Sequence, residues 1–407
     1  MRIINKVSAA IAAMLLTAAT FGDLQARNEV LPDDSISVSL ITCLPGNQVY
    51  ELEGHTALRI KRGDNDLAVN YGIFDFDSPN FIYRFVKGET DYMVAAYPFE
   101  YFMADYMRHG RRVVEQHLGL TQPQAHRLSE LLSENLQPEN RTYRYNYVKD
   151  NCATRPLAML EAAIGDTLSF TAPDHTADWT FRNAMRQYHA NYPWYQFGID
   201  LALGSGIDYK LSTREKSFAP EMLLALMSTA TLRDSTGNQV PLVSSTETLW
   251  EGEPSGGPLP PSPWHSTPMF VALCLLAATA IVTIHDCIRR RVTRWFDSIL
   301  FTLFGIAGCV ITFLVFVSSH EATSPNWLIV WLNPFCLIVP LFIYTKKCAG
   351  LLKWYEIINF AALFLLSVTW PFTGQSGNSA FIPLLISDAM LSVRYIYITC
   401  VERKTPA

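Results

Sequence analysis

YNYVKDNCATRPLAMLEAAIG, residues Tyr145 to Gly165, holds one of only two cysteines, Cys43 and Cys152, that precede the apolar C-terminal third of the chain. Asp150 and Asn151 are residue types that cap helix N-termini, the apolar positions after them recur at helical spacing, and Gly165 supplies a stop. Cys152 is therefore expected at the mouth of a helix, with Pro156 in or just beyond a first turn where a missing N–H is tolerated. There the helix dipole and free backbone N–H groups favour a thiolate and predict a thiol pKa drawn down from about 8.5 toward neutrality. The same N–H groups could hold the oxyanion of a tetrahedral intermediate.

A thiolate nucleophile needs a base. His55, in EGHTALRI, opens a predicted strand behind Gly54, which allows close backbone approach, and a Cys152/His55 pair across the domain is the candidate constellation. A solitary histidine is more often structural, so the residues alone leave both readings open. His109, His117, His126, His175 and His189 have polar neighbours and read as solvated. A Cys43–Cys152 disulfide is the competing reading for an exported domain. No spaced Cys/His cluster marks a metal site, and no cofactor is expected.

Export and membrane insertion follow from the flanks. MRIINKVSAAIAAMLLTAATFGDLQA, residues 1–26, has Arg2 and Lys6 before an apolar run and small residues, the pattern of a cleavable secretory signal, or of an uncleaved anchor since Leu24-Gln25-Ala26 is an imperfect cleavage site. The chain is 407 residues long, 49% hydrophobic and 17% charged, with net charge −5, so nothing basic enough for a nucleic-acid partner is present. Five apolar stretches, near 268–286, 296–318, 327–344, 354–370 and 380–400, predict five membrane helices over 268–400. DCIRRRVTR and TKKCAGLLK are basic, whereas SSHEATSPN and PFTGQSGNS carry no Lys or Arg. The basic loops and a tail at 401–407 are thus expected in the cytoplasm, and the region before Thr267 outside.

The outer region, 27–250, ends in a Pro/Gly/Ser-rich linker at 251–267. SISVSLITCL, HTALRIKR and LAVNYGIFDF read as strands, the last two joined through a GDND hairpin turn. Beyond Pro98 the pattern turns helical, in FEYFMADYMRHGRRVV, TQPQAHRLSELLSENL and EMLLALMSTATL, which makes this an α+β domain followed by an all-α transmembrane domain. Within the last span Asp388 and Arg394 are six residues apart and off a common helical face. Asp388 is expected to hydrogen-bond another helix and Arg394 to snorkel to the cytoplasmic surface.

TCLPGNQVYELEGHTALRI, VNYGIFDFDSPNFIYRFVKGETDY, RYNYVKDNCATR, WTFRNAMRQY and GIDLALG together resemble the periplasmic domain of the Bacteroidota lipoprotein N-acyltransferase family, and SSHEATSPNWLIVWLNPF resembles that family's membrane loop and helix. The resemblance implies a permuted NlpC/P60, papain-like periplasmic domain, with the strand histidine ahead of the helix cysteine. It implies Cys152 as nucleophile and His55 as base. The orienting group is not fixed by the motif; Asn70 is the first choice and Glu53 the second. Pro156 departs from the family's polar continuation, so the resemblance carries no role over to Arg155. The implied reaction moves an acyl chain from a phospholipid donor, through a cysteine thioester, to the α-amine of diacylated lipoproteins at the inner membrane. His320 and Asn326 are expected to hold a headgroup or the glyceryl-cysteine. A membrane-anchored NlpC/P60-like cell-wall peptidase or amidase is the alternative activity, and a non-catalytic envelope scaffold the third possibility.

Overall fold

The computed structural model describes residues 35–74, 79–171, 174–234 and 236–402. The expected signal segment and the last residues of the tail fall outside them. The chain forms two compact units interleaved in sequence. One comprises Met1–Ser78, Asp91–Ala177 and Ser212–Pro258, and the other Pro79–Thr90, Asp178–Leu211 and Leu259–Ala407. The segment 27–250 therefore contributes two stretches to the second unit.

The first unit is built on a seven-stranded sheet. Its strands are β1 (Ile36–Cys43), β2 (His55–Arg62), β3 (Asn65–Ile73), β4 (Asp91–Pro98), β5 (Val113–Leu118), β6 (Thr142–Arg144) and β10 (Val243–Trp250), in the order β10-β5-β1-β2-β3-β4-β6. Every pairing is antiparallel, with Cys43 opposite His55 and Arg62 opposite Asn65 across the expected hairpin. β7 (Leu168–Ser169), β8 (Thr231–Arg233) and β9 (Gln239–Pro241) make a small second sheet. Because side chains alternate across a strand, β1 buries Val38 and Leu40 against one core and Ile41 and Cys43 against another. The first core takes the helices Gln122–Asn135, Thr154–Ile164 and Pro220–Ser228; the second takes Phe99 and Phe102 of the helix Phe99–Arg108.

Among the described residues, the second unit contains four helices long and apolar enough to cross a membrane: Pro268–Arg289, Arg294–Phe316, Lys346–Phe372 and Phe381–Cys400. The expected span at 327–344 is not a fifth of this kind. It breaks into 3-10 turns at Trp327–Val330 and Pro334–Leu337 and a short helix at Ile338–Phe342. Asn326 caps the first turn by accepting from Leu328 N, and Asn333 makes the break by accepting from Phe335 N and starting a new turn, while Pro334 and Pro340 have no N–H for a continuous ladder.

Arg394 does not snorkel. It is buried and bonds Asp286 at 2.8 Å and Asp297. Asp388 accepts from Trp331 Nε1 at 3.0 Å and Asn359 Nδ2 at 2.7 Å, the expected bond to neighbouring elements. The linker is not a free tether either: Glu253 N donates to Gly110 O at 2.7 Å in the first unit, and Leu259 N to the Tyr192 hydroxyl at 2.9 Å in the second.

Candidate active site

Cys152 stands two residues before the helix Thr154–Ile164, and Asn151 is what starts that helix. Its Oδ1 accepts from Ala153 N at 2.8 Å and Thr154 N at 3.0 Å, while its Nδ2 donates to Tyr147 O and Phe218 O. The capping that brings Cys152 to the helix mouth thus consumes the N–H groups that the sequence had assigned to the sulfur. Burial dominates instead and pushes the Cys152 thiol up to about 11, against the opposing pull of the backbone N–H groups of Thr56 and of Cys152 itself. The expected fall toward neutrality is not found.

His55 opens β2 with the alternation of Ala57, on the face of the helix Phe99–Arg108, whereas Ala153 and Leu157 belong to the core on the other face. The two come together at Gly72, in the irregular last residues of β3. Its φ is +94°, the β3–β4 register shifts between Tyr71 and Ile73, and a Cβ placed there would lie 3.6 Å from Cys152 Cβ and 3.9 Å from His55 Cε1. In VNYGIF, Gly72 carries no signal beyond that of a glycine inside a strand pattern.

Asn70, one turn of the pleat earlier on β3, places Oδ1 2.6 Å from His55 Nε2 and donates through Nδ2 to the Tyr97 hydroxyl at 2.9 Å. An amide oxygen only accepts, so Nε2 carries the proton and Nδ1 is left as the ring's basic atom. Glu53 accepts from the Tyr147 hydroxyl, and its charge adds to the raising of the Cys152 thiol. Burial lowers His55 to about 4; the Asn70 bond works the other way, and the Arg111 charge adds to the lowering. At neutral pH the pair therefore rests as thiol and neutral imidazole.

A second layer supports the imidazole. Tyr106 stacks on it, with centroids 6.2 Å apart, and the Arg111 guanidinium lies 4.9 Å from the Tyr106 ring centre. Arg111 is buried, donates to Leu44 O at 2.9 Å, and faces Glu51 at 3.4 Å. Cys43, opposite His55, is buried as a free thiol, and Cys152 is free as well. Arg155 pairs with Asp150 at 2.5 Å and lies over the Tyr143 ring, bracing the loop.

The other candidates are placed differently. Asn326 is buried, with Nδ2 donating to Leu201 O at 2.9 Å and Oδ1 accepting from Leu328 N and Gln375 Nε2, so its amide is spent inside the fold. His320 is half-buried and bonds Phe85 O through Nε2 at 2.8 Å. His189, expected in solvent, is buried and bonds Gln196. Among the described residues, Glu115, His117 and Glu247 bring one ligand atom each within 4.8 Å of one another, but Glu115 is paired with Arg59 and neither Cys152 nor His55 takes part.

Residues 25–187 match the model of the Lnb N-terminal periplasmic domain, and residues 261–405 that of the Lnb transmembrane domain. The chain belongs to the Lnb family. No curated protein and no solved structure gives a match. The family's two parts, a mixed α/β periplasmic domain and a helical transmembrane domain, make this a membrane protein with a periplasmic region. The Lnb periplasmic model covers His55, Asn70, Gly72 and Cys152 together.

Proposed function

We propose that this Lnb-family protein is a lipoprotein N-acyltransferase of the inner membrane, with a permuted papain-like catalytic domain in the periplasm. The observation that carries the reading is the meeting of Cys152 and His55 at Gly72, with Asn70 fixing the imidazole tautomer.

His55 Nδ1 takes the proton from Cys152 Sγ as the sulfur attacks the ester carbonyl of a phospholipid. The neutral resting pair means that proton transfer accompanies attack rather than preceding it. The Cys152 backbone N–H is the donor for the oxyanion, because those of Ala153 and Thr154 are held by Asn151. Collapse breaks the C–O bond, and the leaving alkoxide takes the proton from His55 and departs as lysophospholipid, giving an S-acyl cysteine.

The α-amine of a diacylglyceryl-cysteine then attacks the thioester carbonyl, His55 accepts its proton, and collapse returns the thiolate, which is reprotonated. An amide is formed and the thioester broken, with no external reductant or cofactor required. Apolar helices give this chemistry its setting, since donor and acceptor are both lipid-anchored. The test is transfer from labelled phospholipid to a diacylated lipopeptide by the full chain in vesicles: N-acylated product supports the reading, and release of free fatty acid or peptide cleavage without transfer refutes it.

A further inference from the structure

The helix Phe81–Lys87, in the chain connection between β3 and β4, turns large apolar side chains outward. Ile82 is 78% exposed, and Tyr83 and Phe85 are exposed as well. Its charged residues are tied back at its C-terminal end, where Arg84 donates to Glu89 O at 3.0 Å and Lys87 pairs with Glu89 at 2.6 Å.

The helix is fixed to the end of a membrane helix. Ser318 Oγ donates to Val86 O at 2.8 Å, Ser319 N to Lys87 O at 2.8 Å and His320 Nε2 to Phe85 O at 2.8 Å, while Tyr83 meets Phe313 edge-on at 6.1 Å. Gly88 makes this contact possible. Its φ of +77° ends the helix, and a Cβ there would strike Ser319 Oγ at 2.6 Å. The neighbouring Phe316, last residue of the helix Arg294–Phe316, is 74% exposed. The exposed face of Phe81–Lys87 therefore continues a surface that is already apolar. It does so at the end of the helix away from the Arg-rich turn at 289–294.

We propose that Phe81–Lys87 is a membrane-interface helix, with Ile82, Tyr83 and Phe85 seated among phospholipids at the headgroup–acyl boundary. Clustered exposed apolar side chains mark a binding surface, and aromatic residues concentrate at this depth. A short helix with an apolar outer face and its charges paired at one end fits the same boundary. The hydrogen bonds to 318–320 set its depth by the end of the membrane helix, so it lies in the interface rather than crossing it. This inference does not depend on the chemistry at Cys152.

The test places the photocrosslinking residue p-benzoylphenylalanine at position 82 of the full chain, reconstituted in phosphatidylethanolamine/phosphatidylglycerol vesicles. Position 85 is treated likewise in case position 82 disturbs folding. Position 306, exposed in the middle of the helix Arg294–Phe316, reports lipid contact. After irradiation, mass spectrometry of the peptides should find a phospholipid adduct at 82 or 85, as at 306. Adduct at 306 with none at 82 or 85 overturns the proposal.

Discussion

Removing the Asn70 amide is the perturbation that isolates how the base is prepared. In Asn70→Ala the Nε2–H of His55 loses its acceptor at 2.6 Å, and the ring is free to move its proton to Nδ1, where it can no longer accept one from Cys152. The bond also favours the protonated ring, and burial already works against that form, so the variant makes the imidazolium of the transition state harder to reach. A hydrogen bond to a charged group is worth about 1.5–3 kcal/mol. At about 1.4 kcal/mol per factor of ten, the acylation rate should fall about 10- to 150-fold.

The assay is single-turnover release of lysophospholipid from vesicles carrying a fluorescent acyl donor, with abundance and thermal midpoint recorded in parallel. Because Asn70 is placed to act through His55 and not on the lipid, the loss should lie in the rate at saturating donor and not in apparent donor affinity. Asn70→Asp, which still accepts from Nε2, should recover part of the rate and move the acid limb upward. A wild-type rate in Asn70→Ala, or a loss confined to donor affinity, would refute the assignment.

Three further outcomes follow from the same geometry. His55 is lowered to about 4 when folded from an ordinary 6.5, so the unfolded chain binds the extra proton and stability falls as pH drops from 6.5 toward 4; at about 1.4 kcal/mol per unit the cost approaches 3 kcal/mol, and His55→Gln should flatten the thermal midpoint across that window. Gly72→Ala meets ordinary contact distances at Cys152 and His55 but forces a side chain onto φ +94°, so it should cost about 1–3 kcal/mol of stability and slow acylation by crowding the gap; a neutral effect on both would remove Gly72 from the site. Arg394→Leu strands Asp286 and Asp297 without their cation and should destabilise the protein in detergent by about 3–5 kcal/mol, with partial relief on adding Asp297→Asn; unchanged thermal unfolding would show that the cluster contributes nothing.

Much of the fold was legible because its signals are local. His55–Arg62 coincides with HTALRIKR, and Gly165 ends its helix as expected. β5 and β10 were missed for a shared reason: EQH in the middle of Val113–Leu118 and SSTET in Val243–Trp250 are polar runs whose strand state is set by pairing, β5 with both β1 and β10, and not by pattern. The segment 327–344 has the apolar content of a span, and Asn and Pro divide its helical stretch Trp327–Phe342 into short turns that fall below the length of the other four. At the candidate site, Cys152, His55 and Asn70 were expectations of sequence and family resemblance, and the structure places Asn70 on His55 and brings both His55 and Cys152 to Gly72. The state of the thiol could not, because it depends on how Asn151 distributes its hydrogen bonds and on how deeply the sulfur is buried. Tyr106 and Arg111 carry no motif, and only the stacking in three dimensions brings them to His55.

The proposed reaction requires an acyl group carried by Cys152. The full-length protein, incubated with phospholipid vesicles in the absence of lipoprotein acceptor and quenched in acid, should yield a peptide containing Cys152 heavier by one fatty acyl chain. The adduct should be released by neutral hydroxylamine and chased onto a diacylated lipopeptide when that is added. Absence of the adduct under conditions where transfer proceeds, or transfer undiminished in Cys152→Ala, would contradict it.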